Sequence, residues 1–256
     1  MKKIGCVNIK GGVGKTSCVL GLGGAISLKN RKTLLIDCDP NGSLSRALRF
    51  APNGTNRQPG IYDLLRGDVT AEDAIHKCGD LDPLWLVPSS VDLAGVDMEL
   101  ASVTGREFLL KEAFADITGF DFCFVDCSPS LSVMTANILT FVDSVLIPID
   151  TEFFALQGMG QLFDVIDLTR KRLNRSLRIE GIVCTKYDGR KRLHREIVER
   201  VREYYGALVF ETMIHSNIAV AESPSHGKTI FQYRPKSTGA RDYLALAEEM
   251  LTRRLQ

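Results

Sequence analysis

The chain has 256 residues, 45% hydrophobic and 25% charged, with 32 Lys and Arg against 31 Asp and Glu and a formal net charge of +1. These values exclude a disordered chain, a collagen-like repeat and a disulfide-stapled mini-protein, and they leave room for a large core. The charge is unevenly spread: residues 1–168 carry a net −7, residues 169–202 a net +8, and residues 203–256 none. An acidic body with a basic band admits two readings, a pair of solvated helices or a surface for a polyanion.

The start, Met1 to Cys6, is charged, and its apolar stretch ends at Lys10, without the apolar core and cleavage site of a secretory leader. No apolar run reaches the ~18 residues of a membrane span. Short apolar runs then recur: Ile4–Ile9, Thr33–Ile36, Leu84–Val87, Phe122–Val125, Ser144–Ile149, Ile179–Cys184 and Leu208–Ile214. Several are apolar almost throughout, as strands buried on both faces are. Between the runs lie helical patterns, with Met159, Leu162, Phe163, Ile166 and Leu173 on one face, and Leu193, Ile197, Val201 and Tyr204 on another. Alternating strands and helices predict an α/β fold, a doubly wound, mostly parallel sheet with helices on both faces. Ala51–Gly60, with two Pro, two Gly and two Asn, reads as a surface loop. No repeat or linker divides the chain, so a single domain over 1–256 is expected. The seven cysteines are odd in number and lie mostly in apolar runs, which reads as reduced core thiols; Cys123 and Cys127 lack a second pair at zinc spacing.

The first strand runs into Lys10, Gly11, Gly12, Val13, Gly14, Lys15, Thr16 and Ser17, followed by a helix pattern. Glycines let backbone N–H groups form a concave nest for phosphate oxygens. Lys15 supplies a charge for the β- and γ-phosphates, and the Thr16 hydroxyl suits Mg²⁺. The usual G-x-x-x-x-G-K-[ST] spacing would place Gly at position 9; Ile9 stands there, and a second lysine, Lys10, opens the loop. The second strand ends in Asp37-Cys38-Asp39-Pro40, which places carboxylates where a parallel strand meets its crevice. Phosphoryl transfer to water needs a group that positions the water. The run Phe120 to Asp126 is a strand ending in Asp, a Walker B pattern whose Asp126 would hold Mg²⁺, directly or through water.

The K-G-G-x-G-K-[ST] loop resembles the deviant Walker A loop of the ParA/MinD ATPases. Ile61–Leu65, Val87–Ser89, Asp126–Leu131, Glu152–Gly158, Thr185–Asp188 and Glu222–Lys228 resemble its ParA/Soj branch across essentially the whole chain. The resemblance implies that Lys10 reaches across an ATP sandwich dimer to the partner's phosphates. It implies that Asp39 orients the attacking water, while Asp37 supports either the Mg²⁺ shell or the loop. Ser128 stands where the family usually has proline. In the family, positions matching His215 and Asn217 contact adenine. Positions 216 and 219 carry DNA-surface arginines there, but Ser216 and Ala219 stand here. Arg190, Lys191, Arg192 and Arg195 cluster at a helix start, and Lys236, Arg241, Arg253 and Arg254 could join them. Glu196 and Arg200 are spaced as a surface i,i+4 pair, and Arg170, Lys171, Arg172, Arg175 and Arg178 form a second basic run. No aromatic residues interleave with these charges, so contacts to phosphates rather than bases are expected.

The resemblance thus implies a slow, partner-stimulated ATPase using ATP and Mg²⁺. It would be a homodimer on non-specific double-stranded DNA, cytoplasmic and nucleoid-associated, released by a ParB-like adaptor to segregate chromosome or plasmid DNA. The alternative is the same engine on a non-DNA cargo, such as a chemoreceptor cluster, microcompartment or envelope machine. A membrane partner is not expected, because Tyr243–Leu251 reads as a helix packed on the sheet.

Overall fold

Six of the seven apolar runs form strands in the computed structural model, which describes residues 1–51, 57–79, 81, 83–152 and 155–253. Residues 52–56 of the Ala51–Gly60 loop, Phe153, Phe154 and Arg254 lie outside the described residues. The strands are β1 (Lys2–Cys6), β2 (Thr33–Cys38), β3 (His76–Lys77), β4 (Leu84–Val87), β5 (Phe122–Cys127), β6 (Ser144–Asp150) and β7 (Arg178–Thr185). Among the described residues they form one sheet in the order β3-β4-β2-β5-β1-β6-β7. All neighbours are parallel except β3, an antiparallel edge on β4.

The seventh run is a correction. Leu208–Ile214 is not a strand: Gly206–Leu208 forms a 3-10 turn, and Val209 makes only an isolated bridge to Ile182. Phe210 and Ile214 N–H groups still donate to Ile182 and Cys184 on β7, so the segment's apolar character serves packing at an edge. β1 also starts earlier than predicted, because Lys2 and Lys3 pair with Phe122 and Cys123 of β5, while the Lys2 ammonium reaches Glu180 at 2.6 Å and the Lys3 N–H reaches Asp143.

Helices cover both faces. On β2, Leu35 enters the core beneath α1 (Lys15–Ser27), while Leu34 and Ile36 enter the opposite core. That alternation is the period of a strand buried on both sides. α2 (Val133–Phe141), α3 (Met159–Arg172) and α4 (Arg192–Tyr205) cover the second face, with Ile138, Leu162, Ile166, Ile197 and Val201 in that core. α5 (Thr238–Thr252) returns to the first face against α1. There the ring of Tyr243 lies so close to Gly21 that a Cβ at Gly21 would stand 2.5 Å from it.

The predicted apolar face of α4 is corrected in part. Ile197 and Val201 are buried, but Leu193 and Tyr204 are exposed, and His194 and Val198 take the inner places. His194 is drawn inward by polar contacts: Thr151 Oγ1 lies 2.7 Å from its Nδ1, and the Asp188 N–H donates to the same nitrogen.

Candidate phosphate-binding site

The loop between β1 and α1 stands at the carboxyl end of the sheet, flanked by the ends of β5 and β6. Gly12 and Gly14 have φ of +73° and +91°, left-handed conformations that side-chain-bearing residues rarely adopt. Gly14 leads directly into α1, so the helix N-terminus and its free N–H groups face the cleft, an arrangement suited to anions. Val13 is buried, and its carbonyl accepts from Thr185 Oγ1 at 2.8 Å, which pins the loop to the end of β7.

Both loop lysines are held. Lys15 is buried and curls over its own loop, donating to the carbonyls of Asn8 at 2.9 Å and Lys10 at 3.1 Å. Lys10 Nζ lies 2.9 Å from Asp150 Oδ1 at the end of β6. Asn8 orders this corner, accepting from the Lys10 N–H and donating to Pro148 O. A cleft of about 560 Å³ is lined by the loop from Gly11 to Ser17, except Val13, by Asp39 on one side, and by Lys186, Val220 and Pro224 on another.

The carboxylates gather where β2 and β5 end, and Asp37 and Asp126 sit side by side in the ladder. Thr16 Oγ1 donates to Asp126 Oδ2 at 2.6 Å, while the buried Asp126 Oδ1 has no hydrogen-bond partner among the described residues. Burial, with the neighbouring charge of Asp37, pushes the Asp126 carboxyl well above the ordinary carboxylate range. An orphaned buried carboxylate oxygen beside a hydroxyl suits a hard divalent cation. Among the described residues, no group of three or more His, Cys, Asp or Glu could hold a metal ion. A cation here would therefore rely on Thr16, Asp126 and ligand oxygens, the usual situation of Mg²⁺ beside phosphates. When bound it would neutralise phosphate charge.

Asp37 does something different. Its carboxylate accepts from the Ser45 N–H and Ser45 hydroxyl, each at 2.7 Å, and from the Asp39 N–H. Burial raises its pKa to about 6, against the lowering effect of those bonds. In this arrangement Asp37 supports the loop. Asp39 borders the cleft, with Oδ1 accepting from the Asn41 N–H and its carbonyl held by Ser89 Oγ. Ser45, Ser89, Asn8 and Asp150 were not read from the sequence; the signal for Asp150 was an apolar run ending in Asp, the pattern that marked Asp37 and Asp126.

His215 and Asn217 do not line the cleft. Asn217 Oδ1 caps the short helix Ile218–Glu222 by accepting from the Ala219 N–H. The His215 N–H and Nδ1 both meet Asp242 Oδ2, at 2.9 and 3.0 Å, and its ring lies edge-on to Tyr187. His215 thus ties Tyr187, in the turn before α4, to Asp242 in α5. Ala219 is buried and Ser216 follows the isolated Tyr187–His215 bridge.

The basic cluster is partly neutralised. Arg190 forks onto Asp188 with two 2.9 Å contacts, and the guanidinium holds that carboxyl well below its ordinary range. Arg192 pairs with Glu196, which corrects the expected Glu196–Arg200 pair. Arg195 donates to Gly189 O and forms no salt bridge among the described residues. Lys191, Lys236 and Arg241 form no salt bridge among the described residues, and Lys236 and Arg241 are exposed. Arg170 pairs with Asp167. No helix among the described residues is long and apolar enough to cross a membrane.

A glycine loop at the end of a central parallel strand, a lysine and a threonine after it, and a buried Asp on the next strand define a P-loop nucleotide-binding protein. A family model described as an AAA domain matches residues 1–179. The chromosome partitioning protein ParA of Myxococcus xanthus is 39% identical over 253 residues, covering 98% of this chain and 88% of that protein. The sporulation initiation inhibitor protein Soj of Bacillus subtilis is 38% identical over 250 residues, covering 97% and 98%. Among solved structures, a cobyrinic acid a,c-diamide synthase of Mycobacterium smegmatis with bound ATP analog and magnesium matches with a TM-score of 0.86. It is 32% identical and covers 98% of this chain and 94% of its own. The chain belongs to the ParA/Soj family of P-loop ATPases.

Proposed function

We propose that this chain is a single-domain partitioning ATPase that binds ATP with Mg²⁺, closes into a sandwich dimer and hydrolyses ATP slowly until a ParB-like adaptor stimulates it. The observation that carries this reading is the pair of lysines on one glycine loop. Lys15 lines the cleft, while Lys10 stands at 26% side-chain exposure, its ammonium held by Asp150 alone among the described residues. A second ammonium at the mouth, beyond the one that serves the cleft, suits a phosphate brought by another subunit. The relatives named for chromosome partitioning, and the solved relative with its ATP analog and magnesium, support the same reading. Lys15, Thr16 and Asp126 bind the phosphates and the metal, and Asp39 orients the attacking water. Lys186 and Pro224, which line the cleft beyond the loop, would border the base.

In this reading the closed dimer holds DNA non-specifically through Arg190, Lys191, Arg192, Arg195, Lys236 and Arg241, which makes the protein cytoplasmic and nucleoid-associated. The pairing of Arg190 with Asp188 and of Arg192 with Glu196 favours the second reading, a non-DNA cargo on the same engine. One experiment separates them. Asp39→Ala with Mg-ATP is expected to elute as a dimer on size-exclusion chromatography and to retard unrelated DNA fragments in a gel at low salt. A monomer with ATP bound removes the sandwich dimer and the role of Asp39. A dimer without affinity for DNA leaves the cargo reading.

A further inference from the structure

The end of β6 carries a carboxylate outside the phosphate loop and the Thr16–Asp126 pair. Asp150 is 2% exposed, and Lys10 Nζ is its sole side-chain hydrogen-bond partner among the described residues. The backbone beneath it is fixed: β6 is paired to β1 on one side and β7 on the other. The next residue, Thr151, donates its N–H to Thr185 O, and its hydroxyl meets His194 Nδ1 at 2.7 Å. Asp150 therefore cannot follow a departing partner. Lys10 stands on a loop beside Gly11 and Gly12, both exposed.

We propose that Asp150 is a positioning residue that latches Lys10 within its own subunit and competes with nucleotide phosphates for that lysine. The proposal rests on the reading above only in taking phosphate as the destination of Lys10. A lysine ammonium is one compact charge and cannot serve a buried carboxylate and a distant phosphate together. When it leaves, the carboxylate stays buried without its counter-ion, the costly half of a broken buried pair. The latch thereby makes disengagement the resting state of the loop and raises the nucleotide concentration needed to engage Lys10.

The test is a double-mutant cycle on the full chain, reading the half-saturating Mg-ATP concentration by displacement of a fluorescent ATP analogue, with dimer fraction measured on the same samples. Asp150→Asn is expected to lower that concentration about tenfold when Lys10 is present and less than about twofold in the Lys10→Ala background. Asp150→Ser is expected to shift it in the same direction and covers the case in which the Asn variant does not fold. Equal shifts in both backgrounds mean that Asp150 acts by its bare charge on the ligand, and they overturn the latch. No shift, or a higher concentration, also overturns it. A wild-type chain that binds Mg-ATP but never dimerises overturns the sandwich dimer while leaving the cycle readable. One that does not bind Mg-ATP overturns both.

Discussion

Thr16 Oγ1 donates to one oxygen of Asp126 at 2.6 Å, and the other oxygen of that carboxylate is buried with no hydrogen-bond partner among the described residues. A carboxylate half satisfied in the interior is costly to keep unless a cation completes it. Asp126→Asn is therefore expected to raise the Mg²⁺ needed for half-maximal ATP hydrolysis by roughly 10–100-fold. Magnesium titration of the ATPase rate checks this, and an unchanged magnesium dependence removes Asp126 from the metal site.

Acid should stabilise the nucleotide-free protein. Burial raises Asp37 from 3.8 to about 6 and also raises Asp126. A carboxyl raised in this way holds its proton in the folded chain at pH values where the unfolded chain has released it. The resulting stability is full below the unfolded value near 3.8 and is lost as pH rises through about 6. For Asp37 this amounts to at most about 3 kcal/mol. Asp63 and Asp188 are shifted downward, so their changes fall below that window. Urea midpoints at pH 7, 6 and 5 are expected to climb, and Asp37→Asn to flatten the climb. A wild-type midpoint that falls on acidification contradicts the assignment.

Gly11 separates fold from function. A Cβ there meets nothing within 4 Å, and Gly11 is not among the left-handed residues. Gly11→Val is expected to leave stability within about 0.5 kcal/mol while abolishing ATP-dependent dimerisation. Lys15→Ala is expected to lose the dimer together with ATP binding. Thermal melting beside size-exclusion chromatography distinguishes the two, and a Gly11→Val chain that still dimerises shows that nothing approaches the loop at that point.

DNA has to compete for Arg190, which Asp188 holds in a two-point fork. Lys191→Ala and Arg195→Ala are each expected to weaken binding alike on unrelated sequences and to reduce the salt slope by about one. Asp188→Asn is expected to steepen that slope by about one, because it frees Arg190. Gel retardation across a salt series reads both effects. Absence of wild-type binding with ATP at about 50 mM salt would end the DNA reading.

The parallel strands were legible because each is an apolar run, and three of them close on Asp at the site. β3 was not legible, since His76 and Lys77 carry no apolar signal; they stand opposite Leu86 and Trp85 of β4 in the ladder. Leu208–Ile214 looked like a strand because edge packing selects the same residues as ladder pairing. Leu193 was placed inward by spacing alone, yet His194 takes the buried position, because its nitrogen satisfies Thr151 and the Asp188 N–H. The phosphate loop could be read residue by residue because its chemistry is local. The Lys10–Asp150 contact spans 140 residues of chain, and only the sheet order brings its ends together.

The seven free cysteines, all buried, give this protein a built-in clock. Burial pushes Cys78 and Cys127 up to about 12 and Cys184 up to about 11. A thiol so held reacts as thiolate only when the chain around it opens. Cys6 and Cys18 lie in the core beneath α1, and Cys6 donates to the Lys15 carbonyl. Their rates of alkylation therefore report how often the phosphate-loop end of the sheet breathes. Mg-ATP should slow those two thiols most, and Cys78 near the far edge least.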